Sequence, residues 1–201
     1  MRKTFYFKQI ALIAILLVVI SYLEGYIRHP FEASENSFFG MLLHTVNLIF
    51  HEAGHPIMGL FGSDLIMYLG GSLFQVAIPL IVAIYFLLRR EYISVGIMLM
   101  WVATNISEVA IYAGDAIDRQ LPLLGEGPEG DRSHHDWYNI LIILGVLRSA
   151  PRIQNFLMDV GSLVFFAGIV CALYPILHTT YLVLRDDLQR LKAEKDIPPQ
   201  I

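Results

Sequence analysis

The sequence predicts an all-α protein, a polytopic membrane helix bundle of five or six transmembrane segments, one of them short or re-entrant. Three observations predict this class. The 201 residues are 56% hydrophobic and 16% charged, with a mean hydropathy of +0.58, whereas soluble domains are about 45–50% apolar and about 25% charged. The apolar residues gather in runs of 22 to 24, enough at about 1.5 Å per residue to cross roughly 30 Å of hydrocarbon. The 12 Phe, 10 Tyr and 2 Trp carry more apolar surface than a disordered chain leaves in water. The chain, 1–201, therefore reads as a single integral-membrane domain, multi-pass, with the lipid bilayer as its surroundings and the cell membrane as its expected location.

The segments follow in order. Arg2, Lys3 and Lys8 precede the run Ile10 to Ile20, the layout of a signal peptide. No small-x-small cleavage site follows at Ser21, Tyr22, Leu23 and Glu24, so an uncleaved first span over about 9–27 is expected. Spans over 38–61, 65–88 and 92–113 are long enough to cross. Between Asp115 and Asp136 the chain turns acidic, with Pro122, Gly125, Gly127, Pro128 and Gly130 breaking any helix. The apolar stretch after Asp136, over 136–147, is too short to cross straight and suits a re-entrant helix. The last span is expected over 160–184 with a kink at Pro175, followed by a charged, solvated helical tail over 185–201.

Charge sets further bounds. A net charge of −4 and a pI near 5.9 lack the basic footprint of a nucleic-acid binder, so no nucleic-acid partner is expected. The single cysteine, Cys171, excludes an intramolecular disulfide and a cysteine-based zinc site. With five alternating spans the Lys and Arg residues divide seven and seven between the two sides; with six they divide nine and five. The second count favours both termini on the cytoplasmic side, although Arg89 and Arg90 then fall on the opposite one.

Within the second span the chain reads Asn47, Leu48, Ile49, Phe50, His51, Glu52, Ala53, Gly54, His55, Pro56. His51 and His55 are four apart, so on a helix both imidazoles project from one face and can bind one Zn²⁺. Glu52 beside the first ligand suits a general base acting on water at the metal. Three ionisable residues in five cost roughly 2.5–3.5 kcal/mol each within a span, so they need a compensating partner. A polar packing cluster across helices is the structural alternative, but it does not require glutamate at the second position of an i, i+4 histidine pair. His44 lies about 10.5 Å along the axis from His51, which makes it a packing histidine or one behind the ligands.

A catalytic zinc keeps three protein ligands and one open position. Candidates for the third ligand are Asp115, His134, His135, Asp136 and Glu108. Glu108 and Asp115, seven apart with Asn105 and Tyr112 in helical phase, are expected to line a polar cavity.

This segment resembles the site-2 protease family of intramembrane zinc metalloproteases, marked by HExxH within one transmembrane helix and a later aspartate that begins another. His51 to His55 matches the first motif fully. Asp136 to Leu141 is similar to the second, an aspartate, three residues and two aliphatics, without its two glycines. The resemblance covers roughly Met41 to Leu147. It implies zinc held by His51, His55 and Asp136, with His135 the alternative to Asp136, and Glu52 as the catalytic base. Gly70, Gly71, Ser72 and Gln75 resemble the small-residue segment after the histidine helix, where a polar amide helps hold substrate; Gln75 and Asn105 are the expected substrate-binding residues. The implied activity is hydrolysis of peptide bonds in membrane-protein substrates; the glycine- and proline-rich loop 121–130 is the expected gate. A membrane zinc hydrolase of small amides or lipids, and a non-catalytic scaffold or transporter-like bundle, are the competing readings.

Overall fold

The computed structural model describes residues 2–121 and 135–195. All regular structure among them is helical: α1 (Arg2–Arg28), α2 (Pro30–Asn36), α3 (Phe38–Gly59), α4 (Asp64–Leu88), α5 (Tyr92–Gly114), α6 (Asp136–Ile143) and α7 (Ala150–Lys195), with a 3-10 turn at Leu147–Ser149 before α7. Four stretches are long and apolar enough to cross a membrane: Thr4–Arg28, Asp64–Leu88, Tyr92–Gly114 and Leu147–Lys192. α3 has comparable length, 22 residues, but His44, Asn47, His51, Glu52 and His55 interrupt its apolar character.

Local signals account for the helix ends. Ser37 is extended (φ −143°, ψ 142°) and its hydroxyl accepts from the Gly40 amide at 2.9 Å, which caps α3. Pro30 starts α2, where its missing N–H costs nothing. α2 itself was not expected from the hydropathy pattern, because seven residues are too few to register as a period. α6 has eight residues, about 12 Å of helix, which is too short to cross a bilayer. α7 departs from the expected span and separate tail: one 46-residue helix continues through Pro175 into the charged segment.

The directions of the helices correct the expected alternation. α3 and α4 are antiparallel, with His51 against Gln75, Gly54 against Gly70 and His55 against Met67. α5 and α7 are antiparallel, with Gly96 against Gly168 and Gly114 against Gln154. A Cβ at Gly168 would lie 2.8 Å from the Gly96 carbonyl oxygen, so this pair of glycines permits the backbone approach on which helix association in lipid depends. α1 and α3, in contrast, run the same way. Tyr22 Oη and Ser37 Oγ are 2.8 Å apart, and further along the two helices Tyr26 and Asn47 both reach Glu108. α2, about 10 Å long, makes the return between them. Tyr6 donates to Asp187 at 3.0 Å, so the start of α1 and the late turns of α7 share one end of the bundle. The Arg89–Glu91 turn, joining α4 to α5, faces that same end.

Two apolar clusters frame the interior. Leu16, Met100, Ala103, Phe165, Ala172 and Ile176 join α1, α5 and α7. Ala116, Ile140, Leu141 and Ala150, with Leu65, Tyr68 and Trp137 packed on them, hold α6 against the first turns of α4. α5 is buried along most of its length, as befits a central helix. The polar residues of α3, α4, α5 and α6 meet between the clusters.

Candidate metal centre

The site starts from helical periodicity. His51 and His55, one turn apart on α3, set their ring centroids 5.0 Å apart. Asp136 reaches them from α6, whose first turn is fixed in two ways. His135 accepts the Tyr138 amide through Nδ1 at 3.2 Å, capping the helix, and Trp137 Nε1 donates to Ser72 on α4 at 3.0 Å. Asp136 Oδ2 then stands 3.0 Å from His51 Nε2 and 3.3 Å from His55 Nε2. One ligand atom from each of these three residues lies within 4.8 Å of the others, a group that could hold a metal ion. Tyr112 holds the carboxylate in place: its hydroxyl accepts from the Asp136 amide at 2.9 Å and donates to Oδ2 at 3.4 Å.

Hydrogen-bond chemistry determines what the three atoms need. His55 Nδ1 is 3.0 Å from the Met67 carbonyl oxygen. A carbonyl only accepts, so Nδ1 carries a proton, and in its neutral form the ring presents a lone pair at Nε2. His51 repeats the arrangement, with Nδ1 3.0 Å from Gln75 Oε1. Two nitrogen lone pairs and a carboxylate oxygen thus converge in a nearly buried place, His51 being 6% and Asp136 7% exposed. With both rings neutral these are three acceptors facing one another, an arrangement that calls for a cation between them. Metal-ligating histidines characteristically donate their second nitrogen to an oxygen in this way.

Space at the site is kept open by glycine. A Cβ at Gly71 would lie 2.5 Å from His51 Nε2 and 2.6 Å from His55 Nε2, within the volume a ligand-bound ion would use. A Cβ at Gly54 would collide with the Gly70 carbonyl oxygen, so this second glycine lets α4 approach the histidine face closely. The donor set, its outer hydrogen bonds and this clearance all fit a metal ion.

The other expected residues fall as follows. Glu52 is exposed beside the cluster and acts electrostatically on His55 and Tyr112. His135 is not brought to the cluster. Its Nδ1 caps α6 and its Nε2 faces Asp115 Oδ2 at 3.3 Å, which occupies both nitrogens, and burial pushes its imidazole below the ordinary histidine range against the pull of Asp115. Asp115 also closes the turn after α5 by accepting from the Gln120 and Leu121 amides. Gln75 lies behind His51 with both ends of its amide engaged inside the protein. Asn105 is fully buried and donates to the Trp101 carbonyl of its own helix at 2.8 Å, while its Oδ1 lacks a partner among the described residues. Gln75 is thus engaged at both ends of its amide, and Asn105 is fully enclosed by the protein. Glu108 is not a ligand but the centre of a second polar cluster, and His44 Nδ1 lies 3.5 Å from it. His134 and most of the expected gate, 122–130, lie outside the described residues.

Sequence reasoning missed the Met67 carbonyl, which carries no residue-type signal, and the joint role of Tyr26 and Asn47. Asn47 was open to detection, since Asn47, His51 and His55 form an i, i+4 ladder on one face of α3. No match to this chain was found among protein-family models, curated proteins or solved structures.

Proposed function

We propose that the protein is a zinc-dependent intramembrane metalloprotease that hydrolyses peptide bonds of membrane-protein substrates. The observation that carries the reading is the convergence of two imidazole lone pairs and one carboxylate oxygen, with Glu52 adjacent, inside a bundle of apolar helices. Two nitrogens and one oxygen form the donor set of many catalytic zinc sites. His51, His55 and Asp136 would hold the ion, leaving one position open. When bound, zinc polarises a substrate carbonyl and lowers the pKa of a coordinated water. The remaining work belongs to the chain. Gln75 and the Met67 carbonyl orient the two imidazoles, Tyr112 fixes Asp136, and Glu52, on the exposed side, takes a proton from the attacking water and returns it to the leaving amine.

In this reading α1, α4, α5 and α7 cross the bilayer; α2 returns only about 10 Å, so α3 starts within the bilayer and, like α6, makes no separate crossing. Lys8, Arg89, Arg90, Arg185, Arg190 and Lys192 gather at the end that carries the start of α1 and the last turns of α7, against Arg28, Arg119, Arg148 and Arg152 at the other. The positive-inside rule makes the first end cytoplasmic. The parallel course of α1 and α3 thereby removes the conflict at Arg89 and Arg90.

The test is metal analysis of purified protein combined with turnover of helical membrane peptides and of lipid amides. Zinc near one per chain and peptide cleavage are expected. Below about 0.1 zinc per chain, undiminished in His51→Ala and His55→Ala, the reading fails. Hydrolysis of lipid amides alone would transfer the site to a small-substrate hydrolase.

A further inference from the structure

Behind the metal ligands lies a buried carboxylate that the hydrolytic chemistry does not use. Glu108 on α5 is 4% exposed. Its Oε1 accepts from Tyr26 of α1 and, at 2.8 Å, from Asn47 of α3, and its Oε2 accepts from Gln75 of α4 at 2.7 Å. Four helices therefore meet on one side chain. A carboxylate in a helix interior is costly without such partners, and one donor per helix is a large commitment for packing alone.

The directions of these hydrogen bonds form a chain of necessity. The Trp101 indole N–H, which can only donate, points at Asn47 Oδ1 at 2.9 Å. Asn47 must then turn its NH₂ toward Glu108. The carboxylate can only accept, so Gln75 must also present its NH₂ to Glu108, and its carbonyl is left facing His51 Nδ1 at 3.0 Å. That carbonyl in turn requires the proton of His51 on Nδ1, which leaves Nε2 with the lone pair a metal needs. On the other side of the ring Asp136 Oδ2 stands 3.0 Å from Nε2 and, without a metal, draws the proton to that nitrogen, so the Gln75 carbonyl is the contact that holds a proton on Nδ1. A glutamine amide turned over would offer NH₂ to Nδ1 and place the ring proton on Nε2, where it blocks ligation.

We infer that Glu108 is a positioning residue which, through Gln75, selects the metal-binding tautomer of His51. The consequence for metal affinity rests on the metalloprotease reading, whereas the tautomer itself does not.

The experiment has two readouts. ¹⁵N NMR of the imidazoles in metal-free protein, in an Asp136→Ala background that removes the acceptor at His51 Nε2, is expected to show the Nδ1–H tautomer with Glu108 and Gln75 intact and a mixture in Glu108→Gln, since a neutral amide there both donates and accepts. Zinc affinity by chelator competition is expected to fall about 10- to 100-fold in Glu108→Gln. Gln75→Met is expected to do the same, and Glu108→Gln in that background should cause no further loss. Gln75→Met leaves the bonds of Tyr26 and Asn47 to Glu108 intact, so it decides the matter if Glu108→Gln fails to fold. A wild-type chain that binds no zinc, together with an Nδ1–H tautomer in the Asp136→Ala background, would remove the metalloprotease reading and support the relay. An Nδ1–H tautomer that persists undivided in Gln75→Met, or additive losses in the double variant, would overturn it.

Discussion

Replacing Gly71 with alanine tests the proposed metal site at its narrowest point. The added methyl carbon would stand 2.5 Å from His51 Nε2 and 2.6 Å from His55 Nε2, well inside the ordinary contact of about 3.5 Å or more. Neither ring can retreat freely, because each is tied through Nδ1, one to Gln75 and the other to the Met67 carbonyl at 3.0 Å. Ligand nitrogens lie about 2.0–2.1 Å from zinc, so the methyl and the ion compete for one volume. Overpacking of this kind costs about 1–3 kcal/mol of stability. Zinc affinity should fall at least about 100-fold, which is about 2.8 kcal/mol at about 1.4 kcal/mol per decade. Chelator competition measures the affinity, and thermal unfolding in detergent with and without zinc separates it from the packing cost. Zinc saturating at about 1,000 times its dissociation constant should stabilise wild type by about 4 kcal/mol and the variant far less. A Gly71→Ala protein that binds zinc within about threefold of wild type would refute the placement of the ion.

Further outcomes are expected elsewhere. Glu52→Gln should retain zinc while hydrolysis drops about 10²- to 10⁴-fold; normal turnover in that variant would exclude Glu52 as the base. His135→Ala removes the cap of α6 and should lower stability by about 0.5–2 kcal/mol without altering zinc stoichiometry, whereas a loss of the metal would reinstate His135 as a ligand. In a Cys171→Ala background, an impermeant maleimide applied to intact cells should label Ser63→Cys, in the turn between α3 and α4, and spare Glu91→Cys; the opposite pattern would invert the orientation. Gly54→Ala should destabilise the α3–α4 pair by about 1–3 kcal/mol, read as a lower unfolding temperature, and an unchanged temperature would show that the contact with Gly70 is slack.

Several features were legible in the sequence because they are local. The i, i+4 spacing of His51 and His55 places two imidazoles on one face of any helix, and the runs at 65–88 and 92–113 lie close to α4 and α5. Asp136 was a candidate among five, since the choice depends on which side chain the fold returns to α3. His135, its neighbour, has equally suitable chemistry and is spent on the helix cap and Asp115.

By itself, the sequence determined the helical class and the pair of nitrogens, because periodicity and hydropathy act over one or two turns. The tertiary structure decided what those nitrogens meet. Asp136 lies 85 residues from His51, and Glu108 lies 61 from Asn47 and 82 from Tyr26. These contacts exist because glycines at 54, 70 and 71 admit close helix approach and because α2 turns α3 to run alongside α1. Neither is a property of any short stretch of chain: a carboxylate becomes a metal ligand or a tautomer-setting acceptor only through the donors that other helices bring to it.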